Sequence, residues 1–76
     1  MSIKPLPSRK IIKALSILGF RIVRKHGSHI VMKHSDGRMT VIPVHPGEEI
    51  GLGLLLKIIK DARISKEQFL ELLKKV

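Results

Sequence analysis

The sequence contains no cysteine, tryptophan, tyrosine or asparagine, and its only phenylalanines are Phe20 and Phe69. Without thiols there can be no disulfide, no thiolate nucleophile and no cysteine-held metal, so stability must come from packing Ile, Leu and Val side chains. Acidic residues are also scarce: six Asp and Glu stand against 15 Lys and Arg, a formal net charge of +9 at pH 7 on 76 residues. A charge this dense repels itself and is relieved by a polyanionic partner, either nucleic acid or an acidic protein. A membrane surface would instead want a basic amphipathic helix with aromatic anchors, which two phenylalanines do not supply. Long apolar runs are missing too. The longest, from Leu52 to Leu56 with Ile58 and Ile59, is broken by Lys57, and no apolar core of signal-peptide length follows the first basic residues. A cytoplasmic chain is expected, folding as one domain over residues 1–76, since so short a chain cannot bury a second core.

Local signals divide the chain. Pro5 and Pro7 hold an extended lead-in, and Ser8 stands where an N-cap would, ahead of Arg9 to Leu18. There Ile11, Ile12, Ala14, Leu15 and Leu18 recur at helical spacing, and Gly19 supplies a left-handed stop. Phe20 to Lys25 alternates apolar and basic residues and predicts a half-buried strand. His26-Gly27-Ser28 is a turn, and a second strand runs from His29 to about His34. Ser35-Asp36-Gly37-Arg38 is a hairpin signal before a third strand, Met39 to Val44. A loop from His45 to Gly51 leads to an apolar helix, Leu52 to Ala62. Ser65-Lys66-Glu67-Gln68 is a capping box opening a last helix with Phe69, Leu70, Leu72, Leu73 and Val76 on its apolar face. The expected fold is α+β, αβββα with a three-stranded antiparallel sheet and an additional short C-terminal helix. The apolar residues fit one core and so predict a monomer when free, with a dimer through an apolar patch of Leu52, Leu56 and Val76 as the alternative.

Strand alternation places Ile30 and Met32 on one face of the middle strand and His29, Val31 and Lys33 on the other. Helices should cover the first face. His29 and Lys33 are then open, beside Arg21 or Arg24 and Lys25, and such a face attracts phosphate. Gly27-Ser28 sets backbone N–H groups and a hydroxyl close to the imidazole. RNA carries its own nucleophile, the 2′-OH, so cleavage needs only a base, an acid and cations on the phosphate. Of the other histidines, His26 reads as turn surface, His34 points with Ile30 and Met32 or caps the strand end, and His45 lies in a loop able to approach the open face. No histidine pair has helical metal-ligand spacing, and no Gly-rich phosphate loop or nucleophile elbow is present; neither metal nor cofactor is expected.

Lys4-Pro5-Leu6-Pro7-Ser8, Leu15 to Gly19-Phe20, Gly27-Ser28-His29, Asp36-Gly37-Arg38, Val41 with Pro43 and His45, and Leu55 to Lys60 stand in an order that resembles the HicA family of toxin–antitoxin systems, small messenger-RNA-cleaving toxins with a double-stranded-RNA-binding-domain-like fold. Gly27-Ser28-His29 after a basic strand is the most specific element. The resemblance implies that His29 is the catalytic histidine, that the basic sheet face holds RNA, and that a HicB-like antitoxin covers that face. On this reading His29 is general base or acid, His45 a secondary participant, and Arg24, Lys25, Ser28, Lys33 and Arg38 hold RNA. The chain departs from the family pattern twice, with Gly53-Leu54-Leu55 for Gly-Thr-Leu and Ala62-Arg63 for Ala-Gly. The second departure either puts a side chain in a left-handed turn, at roughly 1 kcal/mol, or changes the shape of that turn. Two other classes fit the residues: a non-catalytic RNA-binding module of the same fold, and a basic domain that binds an acidic protein.

Overall fold

The computed structural model describes residues 2–76 and runs β1 (Leu6–Pro7), α1 (Ser8–Leu18), β2 (Arg21–His26), β3 (His29–Lys33), β4 (Met39–Pro43), β5 (Glu49–Ile50), α2 (Leu52–Asp61) and α3 (Lys66–Leu73). The order β2-β3-β4 forms the antiparallel three-stranded sheet, so the expected αβββα arrangement with a further C-terminal helix is the fold. A second, two-stranded ladder pairs Leu6 with Ile50 and Pro7 with Glu49. It ties the proline-rich lead-in to the segment read from sequence as a loop.

α1 forms because Ile11, Ala14 and Leu15 fall on one face and are fully buried. Its cap differs from expectation. Pro7, extended at φ −62° and ψ 144°, occupies the N-cap position without a side-chain hydrogen bond, and Ser8 is the first helical residue, nearly buried. At the other end Gly19, at φ 111°, donates to Ser16 O, and Phe20 N donates back to Leu15 O at 3.0 Å. This double bond pattern turns the chain from helix into sheet.

The core lies between the helices and one face of the sheet. Phe20, Met32 and Ile42 from the sheet side meet Ile11, Leu15, Leu55, Ile58 and Phe69 from the helices. α3 rests on α1, and α2 on β4. Thr40, the polar residue of this buried sheet face, is satisfied by Asp61 Oδ2, to which its hydroxyl donates at 3.0 Å. α3 opens with the expected capping box: Gln68 N donates to Ser65 Oγ at 3.0 Å, and Ser65 N donates to Gln68 Oε1 at 2.8 Å. Between α2 and α3, Arg63 takes the left-handed conformation at φ 56°, so the turn keeps its shape although a side chain stands there. Leu52 and Val76 remain exposed. Among the described residues no helix is long and apolar enough to cross a membrane.

Candidate nucleic-acid interface and its histidines

The face of the sheet away from the helices is set by pairing register. His26 lies opposite His29 and His29 opposite Pro43; Arg24 opposite Val31 and Val31 opposite Val41; Arg21 opposite Lys33 and Lys33 opposite Met39. Directly opposed residues share a face, so these are three rows. Each lies about 7 Å from the next along the strands, at about 3.3 Å per residue. A histidine row closes one end, Arg24 flanks the apolar middle row, and Arg21 and Lys33 hold the far row. Val23, Val31, Met39 and Val41 form a shallow depression with Arg24 and Lys33 at its sides.

None of the six Asp and Glu falls in β2, β3 or β4. The ion pairs of the described residues join Asp36 to Arg38, Lys57 to Asp61, and Glu71 to Lys74, so Arg21, Arg24 and Lys33 face solvent with their charge uncompensated. A cationic face without carboxylates attracts a polyanion over distances set by ionic strength.

A bulge decides which cations lie here. The register of β2 shifts between Ile22 and Arg24, leaving Val23 as the extra residue. Arg21 and Arg24, three residues apart, therefore share the open face, and Lys25 falls opposite Ile30 on the other side. Lys25, expected among the phosphate-holding cations, is exposed but stands apart from them. The same shift returns His26 to the open face. His26 is thus the last residue of β2, directly across from His29, and not part of the turn.

The turn itself is Gly27-Ser28. Gly27 alone has positive φ, 60°, the pattern of a type II′ hairpin. Ser28 is half-buried, and its carbonyl accepts from Val44 N at 2.6 Å, fixing the turn to the end of β4. His29 is exposed at the start of β3. His45 lies two residues beyond β4, where His45 O accepts from Glu48 N at 3.0 Å; it lines a depression with Pro43, Glu48 and Glu49.

Arg38 is a correction. Its guanidinium lies under the helices, with Nε donating to both oxygens of Asp36 at 3.1 and 2.8 Å and Nη1 donating to Ala62 O at 2.6 Å. Its carbon sits 5.3 Å from the Phe20 ring centroid. A cation held this way locks the β3–β4 hairpin to the end of α2 and does not reach the open face. Asp36 in turn has its carboxyl held below the ordinary range, first by the Arg38 side chain and then by the Arg38 N–H. His34 points inward, as expected. Its Nε2 lies 3.2 Å from Leu18 O, its Nδ1 accepts from Asp36 N at 3.1 Å, and its ring meets Phe20 edge-on at 5.4 Å. One neutral tautomer, with the hydrogen on Nε2, satisfies both bonds.

Among the described residues no group of three or more His, Asp or Glu is placed to hold a metal ion. From the sequence His26 reads as part of the turn, and Arg21 and Arg24 as alternatives for the open face. The signal that could have found all three was the adjacent pair Ile22-Val23, two apolar residues in succession within an alternating strand.

No curated protein matches the chain. The family model for the HicA toxin of bacterial toxin–antitoxin systems matches residues 8–64, the stretch that holds α1, the sheet and α2. With so much of its length matched, the chain belongs to the HicA toxin family and is the toxin component of a toxin–antitoxin system, with an antitoxin as partner.

Proposed function

We propose that this toxin is a cytoplasmic endoribonuclease that cleaves messenger RNA without a metal ion, with His29 transferring the proton as general base or acid. The observation that carries the reading is an exposed imidazole at the head of a cationic sheet face whose three strands carry no carboxylate. RNA provides the nucleophile, so the protein needs to remove the 2′ proton, assist the leaving oxygen and neutralise the phosphate. Arg24, Arg21 and Lys33 do the last of these, in rows that follow a single strand laid along β3. The half-buried Ser28 offers its hydroxyl beside His29. The antitoxin covers this same face, meeting the apolar centre at Val31 and Val41 with apolar groups and the cations with carboxylates.

The test is cleavage of a long single-stranded RNA in EDTA by wild type and His29→Ala, with folding and RNA binding measured for both. Wild type should leave 2′,3′-cyclic phosphate ends, and the variant should bind but not cut. Binding without cutting by both proteins would make the chain an RNA-binding module and refute the role of His29. Lys33→Gln should weaken binding to all sequences alike and reduce the log–log salt slope by about 0.7, the contribution of one phosphate contact on a single strand.

A further inference from the structure

We propose that His26 is the second catalytic residue, the general acid that protonates the departing 5′-oxygen while His29 removes the 2′ proton. The inference rests on the ribonuclease reading and adds to it the partner that the chemistry needs. Transesterification at a phosphodiester moves two protons at two oxygens on opposite sides of phosphorus. One imidazole reaches both only by moving between them; two imidazoles a phosphate's width apart serve both at once.

The hairpin supplies that spacing. His26 and His29 are directly opposed across β2 and β3, so their side chains leave the same face from Cβ atoms about 4.5–5.5 Å apart. Both are exposed. The connection between them is only Gly27-Ser28, with Gly27 at φ 60°, and the Ser28 carbonyl is held by Val44 N at 2.6 Å. Backbone geometry therefore fixes the separation of the two Cβ atoms and leaves each ring to settle by side-chain rotation, so that nothing in a flexible loop has to close.

The other candidate acids are placed less well. His45 shares its depression with Glu48 and Glu49, whose carboxylates repel the phosphate it would have to approach. Lys33 stands four residues along β3 from His29, about 13 Å away at the rise of a strand. Arg38 is held under the helices. On the strands the charged groups that share the face with the two histidines are Arg21 and Arg24 from β2 and Lys33 from β3, while β4 contributes only Pro43, Val41 and Met39; Glu48 and Glu49 lie beyond Pro43, in the depression with His45.

In the step so assigned, neutral His29 takes the proton of the 2′-OH as the 2′-oxygen bonds to phosphorus. The bond from phosphorus to the 5′-oxygen breaks, and protonated His26 gives its proton to that oxygen. The products are a 2′,3′-cyclic phosphate and a 5′-OH. His29 is left protonated and His26 neutral, and both return to their starting states by exchange with water.

The experiment compares wild type, His26→Ala and His29→Ala on an RNA oligonucleotide and on the same RNA with sulfur in place of the bridging 5′-oxygen at the mapped cleavage site. A thiolate leaves without protonation, so it does not need the acid. His26→Ala should lose on the order of 10²- to 10⁴-fold on the oxygen substrate, the usual contribution of a general acid, and little on the sulfur substrate; His29→Ala should lose on both. Circular dichroism and RNA binding of each variant establish that it is folded and occupied. Equal loss by His26→Ala on the two substrates, or no loss on either, overturns the assignment and leaves the ribonuclease reading standing. If wild type cleaves neither, both fall together.

Discussion

Gly19 is the glycine whose replacement the structure constrains most tightly. Its φ of 111° is one that side chains rarely adopt, and a Cβ built there would lie 2.8 Å from His34 Nε2. Gly19→Ala therefore carries two penalties. The left-handed backbone costs about 1–2 kcal/mol for a residue with a Cβ. Displacing the imidazole also breaks its bond to Leu18 O, worth about 1 kcal/mol net, and disturbs its edge-on contact with Phe20, worth about 0.5–1.5 kcal/mol. The expected loss is about 2.5–4.5 kcal/mol in urea unfolding, with an unchanged m-value. Gly37 is the natural control: its φ is 100° but nothing lies within 4 Å of the added Cβ, so Gly37→Ala should carry only the conformational part, about 1–2 kcal/mol. In a His34→Ala background the cost of Gly19→Ala should fall to that same value, the difference being the coupling between the two sites. Equal costs for the two glycine variants, or a Gly19→Ala cost untouched by removing His34, would refute the argument.

The left-handed turn after α2 predicts the opposite sign. Arg63 sits at φ 56°, with its N–H bonded to Lys60 O at 3.0 Å, so Arg63→Gly relieves backbone strain and should raise the unfolding free energy by about 0.5–1 kcal/mol after the greater unfolded-state freedom of glycine is subtracted. Asp36 gives an acid-limb prediction. Its folded-state pKa lies below the ordinary value, chiefly through the hydrogen bonds from Arg38, so the folded protein binds this proton less readily than the unfolded chain does. The stabilisation is complete above the ordinary carboxylate range and is lost as pH falls through the depressed folded value. Thermal denaturation followed from neutral pH downward should show wild type losing its advantage over Asp36→Asn in that acid window; a constant gap between the two proteins would contradict the pairing.

The helices and hairpins were legible because their signals are local. Five apolar residues at helical spacing, the Gly19 stop and the Ser65–Gln68 box each act within a few residues, and each predicted element is present within a residue or two of its expected ends, except that α3 stops at Leu73 and leaves Val76 exposed beyond it. Pairing is not local, and there the reading was weaker. The bulge at Val23 is a property of two strands together, and by shifting the phase of β2 it moved Lys25 off the open face and brought His26 onto it. The β1–β5 ladder joins residues far apart in the chain, so Glu49–Ile50 read as loop. Arg38 was misassigned for a related reason: a basic residue beside a hairpin glycine looks like any surface cation until Asp36, Phe20 and the carbonyl of Ala62 are seen around it.

The bulged strand has a consequence for how the protein behaves when concentrated. β2 is an end strand of its sheet, and an unpaired edge offers its N–H and C=O groups to any extended segment that comes alongside. Here the edge is kinked by its extra residue and carries Arg21, Arg24 and Lys25, so two copies approaching edge to edge would set cation against cation along a ladder that cannot stay in register. Strand-to-strand aggregation is opposed by the same charges that draw in RNA. That protection weakens at high ionic strength, where the screening length falls to about 3 Å at 1 M, and it is there that edge-to-edge association becomes competitive.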